Sequence, residues 1–140
     1  VALPTLDFAF VADYAREKNG SLDALSIGID EIRAGHLPAS AQVCVVLRLQ
    51  FDRQDCESVH RLEIMIQDPD GQRLADLSVN AQAQWPTPDP PGDRMNFQVV
   101  LYAPLALEQT GPHSVEIVVD GQLLKTITVN VLLVRIGSGQ

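Results

Sequence analysis

HSVEIVVDGQLLKTITVNVLLV, residues 113–134, decides how this chain folds. Two runs flank Asp120-Gly121, and in each the apolar residues recur at every second position, the period of a β-strand. Aspartate followed by glycine between such runs signals a hairpin, because both residues tolerate the positive φ of a tight turn. Loop length then sets which side chains meet. A two-residue turn would set Val115, Ile117 and Val119 beside Leu124, Thr126 and Thr128, mixing apolar with polar. A three-residue loop with Gly121 left-handed sets them beside Leu123, Ile127 and Val129, leaving one face apolar apart from Lys125, and this bulged register is the one expected. Val131 to Val134 is apolar on both faces, which a half-solvated strand does not tolerate. A neighbouring loop, the first hairpin or another copy of the chain is expected to cover it.

Outward from this hairpin the same period recurs. Leu6 to Tyr14 alternates, with Leu6, Phe8, Phe10, Ala12 and Tyr14 on one face, and Asn19-Gly20 then turns the chain into Leu22 to Ile32, so these segments read as a first hairpin. Gln42 to Phe51 puts Val43, Val45, Leu47, Leu49 and Phe51 together. Val59 to Gln67 puts Leu62, Ile64 and Ile66 together. Asp68-Pro69-Asp70-Gly71 has the chemistry of a type I turn, and Leu77, Val79, Ala81, Ala83 and Trp85 share the next strand face. Trp85 to Asp93 holds four prolines and can be neither helix nor inner strand. Met95 to Tyr102 is another strand, and Leu105 to Gln109 has the length of one helical turn. About eight short strands separated by turns, with no long amphipathic helix, predict an all-β, antiparallel β-sandwich. Periodicity leaves the choice between immunoglobulin-like and jelly-roll strand order open. The sandwich is expected to span residues 1–136 as a single domain, with 137–140 a flexible tail.

One similarity lies inside the chain. His60-Arg61-Leu62-Glu63-Ile64 followed by Asp70-Gly71-Gln72 echoes His113-Ser114-Val115-Glu116-Ile117 followed by Asp120-Gly121-Gln122. Two hairpins with similar turns converge on such a pattern more readily than a single pair demonstrates duplication.

A chain of 140 residues buries roughly 68% of its unfolded surface, enough for a core without metals or disulfides. A net charge of −8 and scattered basic residues disfavour nucleic acid and anionic membranes as partners, since both are gripped by clustered Lys and Arg. No run of eighteen apolar residues and no basic-then-apolar leader occurs, so neither a membrane span nor a signal peptide is expected; a leader removed before Val1 would lie outside this sequence. Cys44 and Cys56 make no disulfide framework, and two free thiols point to a cytoplasmic setting.

Chemistry-bearing residues are sparse. His36, His60 and His113 lack the spacing of a zinc site, and no serine or cysteine sits in a nucleophile context. Asp7, Asp13, Asp30 and Glu31, and the Asp68/Asp70 pair, allow a calcium site on paper, but none reproduces a calcium-binding loop, and aspartates at turn starts bond to their own backbone. The expectation is therefore no catalytic, cofactor-binding or metal-binding residue, and no cofactor. An enzyme would need His60 or His113 beside a carboxylate inside a cleft. Trp85, with Tyr102 and the proline-rich loop, would serve a small-ligand or carbohydrate-binding module, although the parity of Trp85 with Val79, Ala81 and Ala83 favours a core plug. Apolar residues on the second faces of strands, Cys44, Val46, Met65, Val100, Tyr102 and Val118, would mark a protein interface if they form one patch.

LDFAFVADYA at the start, NGSLDALSIGIDEI, the HLPA loop, the DPDGQ turn and the closing GPHSVEIVVDG together resemble a bacterial family of uncharacterised β-sandwich proteins, a domain of unknown function, over nearly the whole chain. An aromatic commonly stands in that family where this chain has His113. The resemblance implies a β-sandwich and supplies no activity, ligand or site residue. The function expected is non-catalytic: a cytoplasmic β-sandwich acting through contacts with a protein partner or with itself as a homo-oligomer, without nucleic acid or membrane.

Overall fold

A computed structural model of the protein describes residues 3–88 and 92–134. Among the described residues ten strands run in chain order as β1 (Thr5–Ala12), β2 (Tyr14–Lys18), β3 (Ser21–Leu25), β4 (Glu31–Ala34), β5 (Ala39–Phe51), β6 (His60–Gln67), β7 (Arg73–Ala81), β8 (Met95–Leu107), β9 (Gly111–Val119) and β10 (Gln122–Leu133). They form a three-stranded sheet of order β1-β5-β8, a five-stranded sheet of order β4-β10-β9-β6-β7, and the separate β2-β3 ribbon. All pairs are antiparallel except β4 with β10. Among the described residues the only helical piece is a 3-10 turn at Asp55–Glu57. The expected count of eight strands is thus corrected to ten, and the tail at 137–140 lies outside the described residues.

The larger sheets share one core. From the first come Ala9, Val11, Val43, Val45, Leu47, Leu49, Phe51, Val99, Ala103, Leu105 and Leu107; from the second come Leu62, Ile64, Ile66, Ala81, Val115, Ile117, Val119, Val129 and Val131. β5 is the central strand of its sheet, and its inward residues 43, 45, 47, 49 and 51 follow the predicted alternation. β8 continues to Leu107, where a helical turn is expected from sequence. Ala103, Leu105 and Leu107 keep the strand period against Val43, Ala41 and Ala39, so pairing along β5 overrides the local preference.

Two breaks divide the predicted first hairpin. At Asp13 the chain leaves the sheet of β1, and at Ser26 (φ 56°) and Gly28 (φ 78°) it turns again. Gly28 and Ile29 both donate to the Val11 carbonyl, at 2.9 Å each, which ends the strand there. Only Tyr14–Lys18 and Ser21–Leu25 pair, around Asn19 (φ 52°) and Gly20 (φ 81°), while β1 pairs with β5 and β4 with β10. A bulge between Leu6 and Phe8 splits the alternating face of β1. Leu6 packs toward the shared core, whereas Phe8 and Phe10 stand on the opposite face of the sheet.

The β9-β10 hairpin meets its expected register only from Lys125 onward; the expected three-residue loop is corrected to a two-residue turn, and Leu123 lies opposite Val118, 51% exposed, instead of beside Val119 on the apolar face. Asp120 (φ 50°) and Gly121 (φ 81°) make a two-residue turn pairing Val119 with Gln122. The extra residue enters further on, between Leu123 and Lys125, after which Val115 lies opposite Ile127. A bulge there restores the apolar pairing that a two-residue turn alone would have lost. At the far end Val131 is buried; Leu132 and Leu133 are exposed, with β4 running alongside them.

The two similar hairpins lie side by side, β6 pairing with β9 about Ile64 and Ile117. Their histidines differ in setting. His113 is 3% exposed, its Nδ1 donates to the Gly111 carbonyl at 3.0 Å, and its Nε2 has no hydrogen-bond partner among the described residues. Around it stand Ile32, Val43, Ile66, Leu105 and Val129, all apolar. Because a buried polar atom without a partner costs about 1–3 kcal/mol, His113→Phe is expected to leave stability unchanged or raise it by about 1 kcal/mol despite losing one bond. Urea unfolding reads this directly, and a loss above about 2 kcal/mol would refute it.

Candidate functional site

The outer face of the β1-β5-β8 sheet is roofed by the β2-β3 ribbon. Cys44 and Val46 of β5, both fully buried, pack with Ala15 beneath the ribbon, and Phe8, Phe10, Leu22, Ala24 and Val100 border them. This is the covering element that the second apolar face of β5 demands. The ribbon is tied along the β8 side. The Tyr102 hydroxyl accepts from the Ala15 N–H at 3.1 Å and donates to the Ala15 carbonyl, and Gln98 Nε2 donates to the Gly20 carbonyl at 2.9 Å. Gln98 Oε1 in turn accepts from Arg48 Nε and Nη2 at 3.1 and 2.6 Å.

On the β1 side the ribbon stands away from the sheet and leaves an open groove of about 810 Å³. Its floor is aromatic: Phe8 and Phe10, two residues apart and so on one face, stack with centroids 5.8 Å apart, and the Arg48 guanidinium lies 5.0 Å from the Phe8 centroid. Its rim is apolar and open to solvent, with Tyr14, Leu25 and Ile27 exposed by 46%, 63% and 63%. The two guanidinium groups at the groove are paired, Arg16 with Asp23 at 3.0 Å and Arg48 with Asp7 at 3.5 Å. An apolar floor with a few fixed polar groups favours an apolar or aromatic occupant.

The sequence-predicted residues fall elsewhere or take structural roles. Trp85 lies beyond the end of β7, half-buried, in a hollow of about 550 Å³ with Arg53, Cys56, Glu57, Gln82 and Gln84. Tyr102 is committed to Ala15 under the ribbon, so the structure does not bring the two aromatics together. Residues 89–91 of the proline-rich loop lie outside the described residues. Of the second-face residues, Cys44, Val46 and Val118 are buried and only Tyr102 is exposed, so they form no exposed patch.

His60 does stand beside a carboxylate, but not in a cleft. It is 1% exposed; Nδ1 meets Asp120 Oδ2 at 2.7 Å, and Nε2 meets the Asp55 carbonyl at 2.9 Å. Asp120 Oδ1 also accepts from the Arg61 N–H at 2.8 Å. Both ring nitrogens face acceptors, so the arrangement is satisfied by an imidazolium beside a carboxylate, with no nitrogen left to act as a base. Burial lowers the His60 pKa, but the Asp120 hydrogen bond and charge and the Asp55 carbonyl outweigh it and leave it above the ordinary 6.5. The Arg61 N–H, helped by His60 and opposed by burial, holds Asp120 below the ordinary 3.8. Of the acidic candidates, Asp68 Oδ1 accepts from the Asp70 and Gln72 N–H groups, each at 2.9 Å, a turn role. Asp7 and Glu31 pair with Arg48 and Arg33, and the Asp30 carbonyl accepts from the Asn130 N–H.

Sequence reading thus missed the groove, although two signals for it were present. Cys44 and Val46 on the second face of β5 called for a cover, and Asn19-Gly20 with Leu22 and Ala24 supplied one. What no period reveals is that, among the described residues, the hydrogen bonds tying this cover to the sheet run along β8.

No curated protein matches the chain. Among solved structures, the Pseudomonas fluorescens alkylpurine DNA glycosylase AlkC, bound to DNA containing an abasic site analog, is similar with 13% identity and a TM-score of 0.40. The likeness covers 73% of this chain and 27% of the glycosylase chain, so this chain spans about a quarter of that protein's length. A family model described as a family of unknown function, DUF6941, matches residues 7–132, and the chain belongs to that family.

Proposed function

We propose that this chain is a non-catalytic β-sandwich module that works through protein contacts, holding an apolar segment of a partner polypeptide in the groove between β1 and the β2-β3 ribbon. The observation that carries this reading is the exposed rim of Tyr14, Leu25 and Ile27 above the stacked Phe8 and Phe10. Side chains of that size, contiguous and open to water, characterise interaction surfaces, and Tyr and Arg are frequent anchors there. The occupied nitrogens of His60 favour binding over catalysis. A small-ligand or carbohydrate role keeps Trp85 but loses Tyr102 as a second platform. A reducing, cytoplasmic setting suits the free thiols of Cys44 and Cys56.

Peptides selected from a random display library on the wild-type chain are expected to bind at least tenfold more weakly to Leu25→Glu. That exposed substitution should change stability by no more than about 0.5 kcal/mol. The selected peptides should also shift the amide resonances of residues 8, 10, 25 and 27. Peptides that bind Leu25→Glu equally well, or that map to the Trp85 hollow, would overturn the reading.

A further inference from the structure

We propose that the partner enters the groove as an added β-strand on the free edge of β3, presenting apolar side chains at alternate positions to Phe8 and Phe10, and that it is a basic segment of another protein. This rests on the groove reading above and specifies how the groove is used.

The backbone geometry of the ribbon leads there. The Asn19-Gly20 turn closes the ribbon at Lys18 and Ser21, which makes those two a hydrogen-bonded pair. In an antiparallel ladder the pairs alternate, so Glu17 with Leu22 and Ala15 with Ala24 are the non-hydrogen-bonded ones. Their N–H and C=O groups point away from the ribbon on both sides. On the β2 side this is visible, since the Ala15 N–H and carbonyl are the groups taken by the Tyr102 hydroxyl. On the β3 side the equivalent groups belong to Leu22 and Ala24, and among the described residues no strand pairs with that edge. The same edge borders the groove. Leu22, Asp23, Ala24 and Leu25 point alternately to opposite faces, yet all four line it, which happens only where a groove runs along a strand's rim.

An entering strand would therefore find main-chain donors and acceptors on one side and an aromatic floor below, the two elements of recognition by strand addition. Charge selects its composition. The two arginines at the groove are paired with Asp23 and Asp7, and the chain as a whole carries −8, so long-range attraction favours a basic segment over an acidic one. A second copy fits this edge poorly. Two β3 strands bonded through both Leu22 and Ala24 would meet about Asp23, setting it opposite its own copy and joining two chains of charge −8.

The test uses an end-capped octapeptide alternating Lys with Val or Phe, titrated into the full chain by calorimetry and amide NMR. Three comparisons accompany it: the same peptide N-methylated at alternate amides, the same peptide with Glu in place of Lys, and Ala24→Pro, which deletes an outward N–H while leaving the β2-β3 bonds intact. The proposal expects binding mapped to β1 and β3, slowed exchange of the Leu22 and Ala24 amides, and at least tenfold weakening in each comparison. N-methylation keeps the protein wild type, so a misfolded Ala24→Pro would not blunt the test. Groove binding insensitive to both N-methylation and Ala24→Pro would overturn strand addition and leave the groove reading standing. Equal binding of the Glu peptide would overturn the basic partner. No binding up to millimolar concentration, or binding outside the groove, would overturn both readings. A dimer in light scattering that Ala24→Pro abolishes would replace the partner by a second copy.

Discussion

Phe51→Ala is expected to lower the unfolding free energy by about 3–5 kcal/mol, the range for removing a buried aromatic. Phe51 closes the inward row of β5 at 0% exposure. Its ring meets His60 edge-on at 5.5 Å and an interplanar angle of 82°, and lies 5.8 Å from Phe97. The deletion therefore removes apolar contact from both sheets and the packing that holds the imidazole toward Asp120. Against a typical domain stability of about 5–15 kcal/mol, such a loss leaves a marginal fold. Urea titration should show the midpoint fall with the slope unchanged. Phe51→Leu, which keeps most of the volume, should cost less than about 1.5 kcal/mol. Equal costs for the two variants would mean that the site is not close-packed.

Asp120→Ala should have the next largest effect, about 3 kcal/mol, because it strips a buried imidazole of its anion and the Arg61 N–H of its acceptor. It also forces a residue with a Cβ but no polar group to hold φ 50°. Asp120→Asn separates charge from shape. Asparagine tolerates that φ, its oxygen can accept from Arg61, and its amide can donate to a neutral His60 whose Nε2–H still reaches Asp55. The variant is expected to fold and to lose a pH dependence instead. A histidine raised above 6.5 contributes stability that is complete below pH 6.5 and disappears as pH climbs through its folded value. A carboxylate lowered below 3.8 contributes stability present above pH 3.8 and lost as pH falls through its folded value. The difference in stability between wild type and Asp120→Asn should thus be largest between those limits and shrink on both sides. Taking the difference cancels other titrations, including those of the thiols. A difference that stays constant from pH 5 to pH 9 would contradict the ion pair.

Particular residues show how far the sequence reached. The period of Val43 to Phe51 identified both the strand and its inward face, because alternation is geometric and needs no neighbour. Asn19-Gly20 and Asp120-Gly121 located their turns, since few residue pairs accept two positive φ angles in succession. The pairing of Val115 with Ile127 followed from matching apolar faces. The device that sets this pairing did not, because a bulge between Leu123 and Lys125 carries no residue signature. Leu105 to Gln109 has the length of a helical turn, but Leu105 to Leu107 join the ladder that β5 offers. The groove was less legible still: Phe8 and Phe10 counted only as one face of a strand, and which face they occupy depends on the bulge beside Leu6.

By itself the sequence determined an all-β chain, most of its strands, the positions of its tight turns and the residues of its central strand, all properties of local stereochemistry and period. Only the tertiary structure decided that the first predicted hairpin divides into β1, β2-β3 and β4, that Tyr102 and Gln98 tie the ribbon along β8, and that an aromatic-floored groove stays open along β1. The Tyr102 tie alone joins residues 87 positions apart, and β4 pairs with a strand near the other end of the chain. Such contacts form where sheets meet in space, and period-two alternation does not specify which strand will be the neighbour.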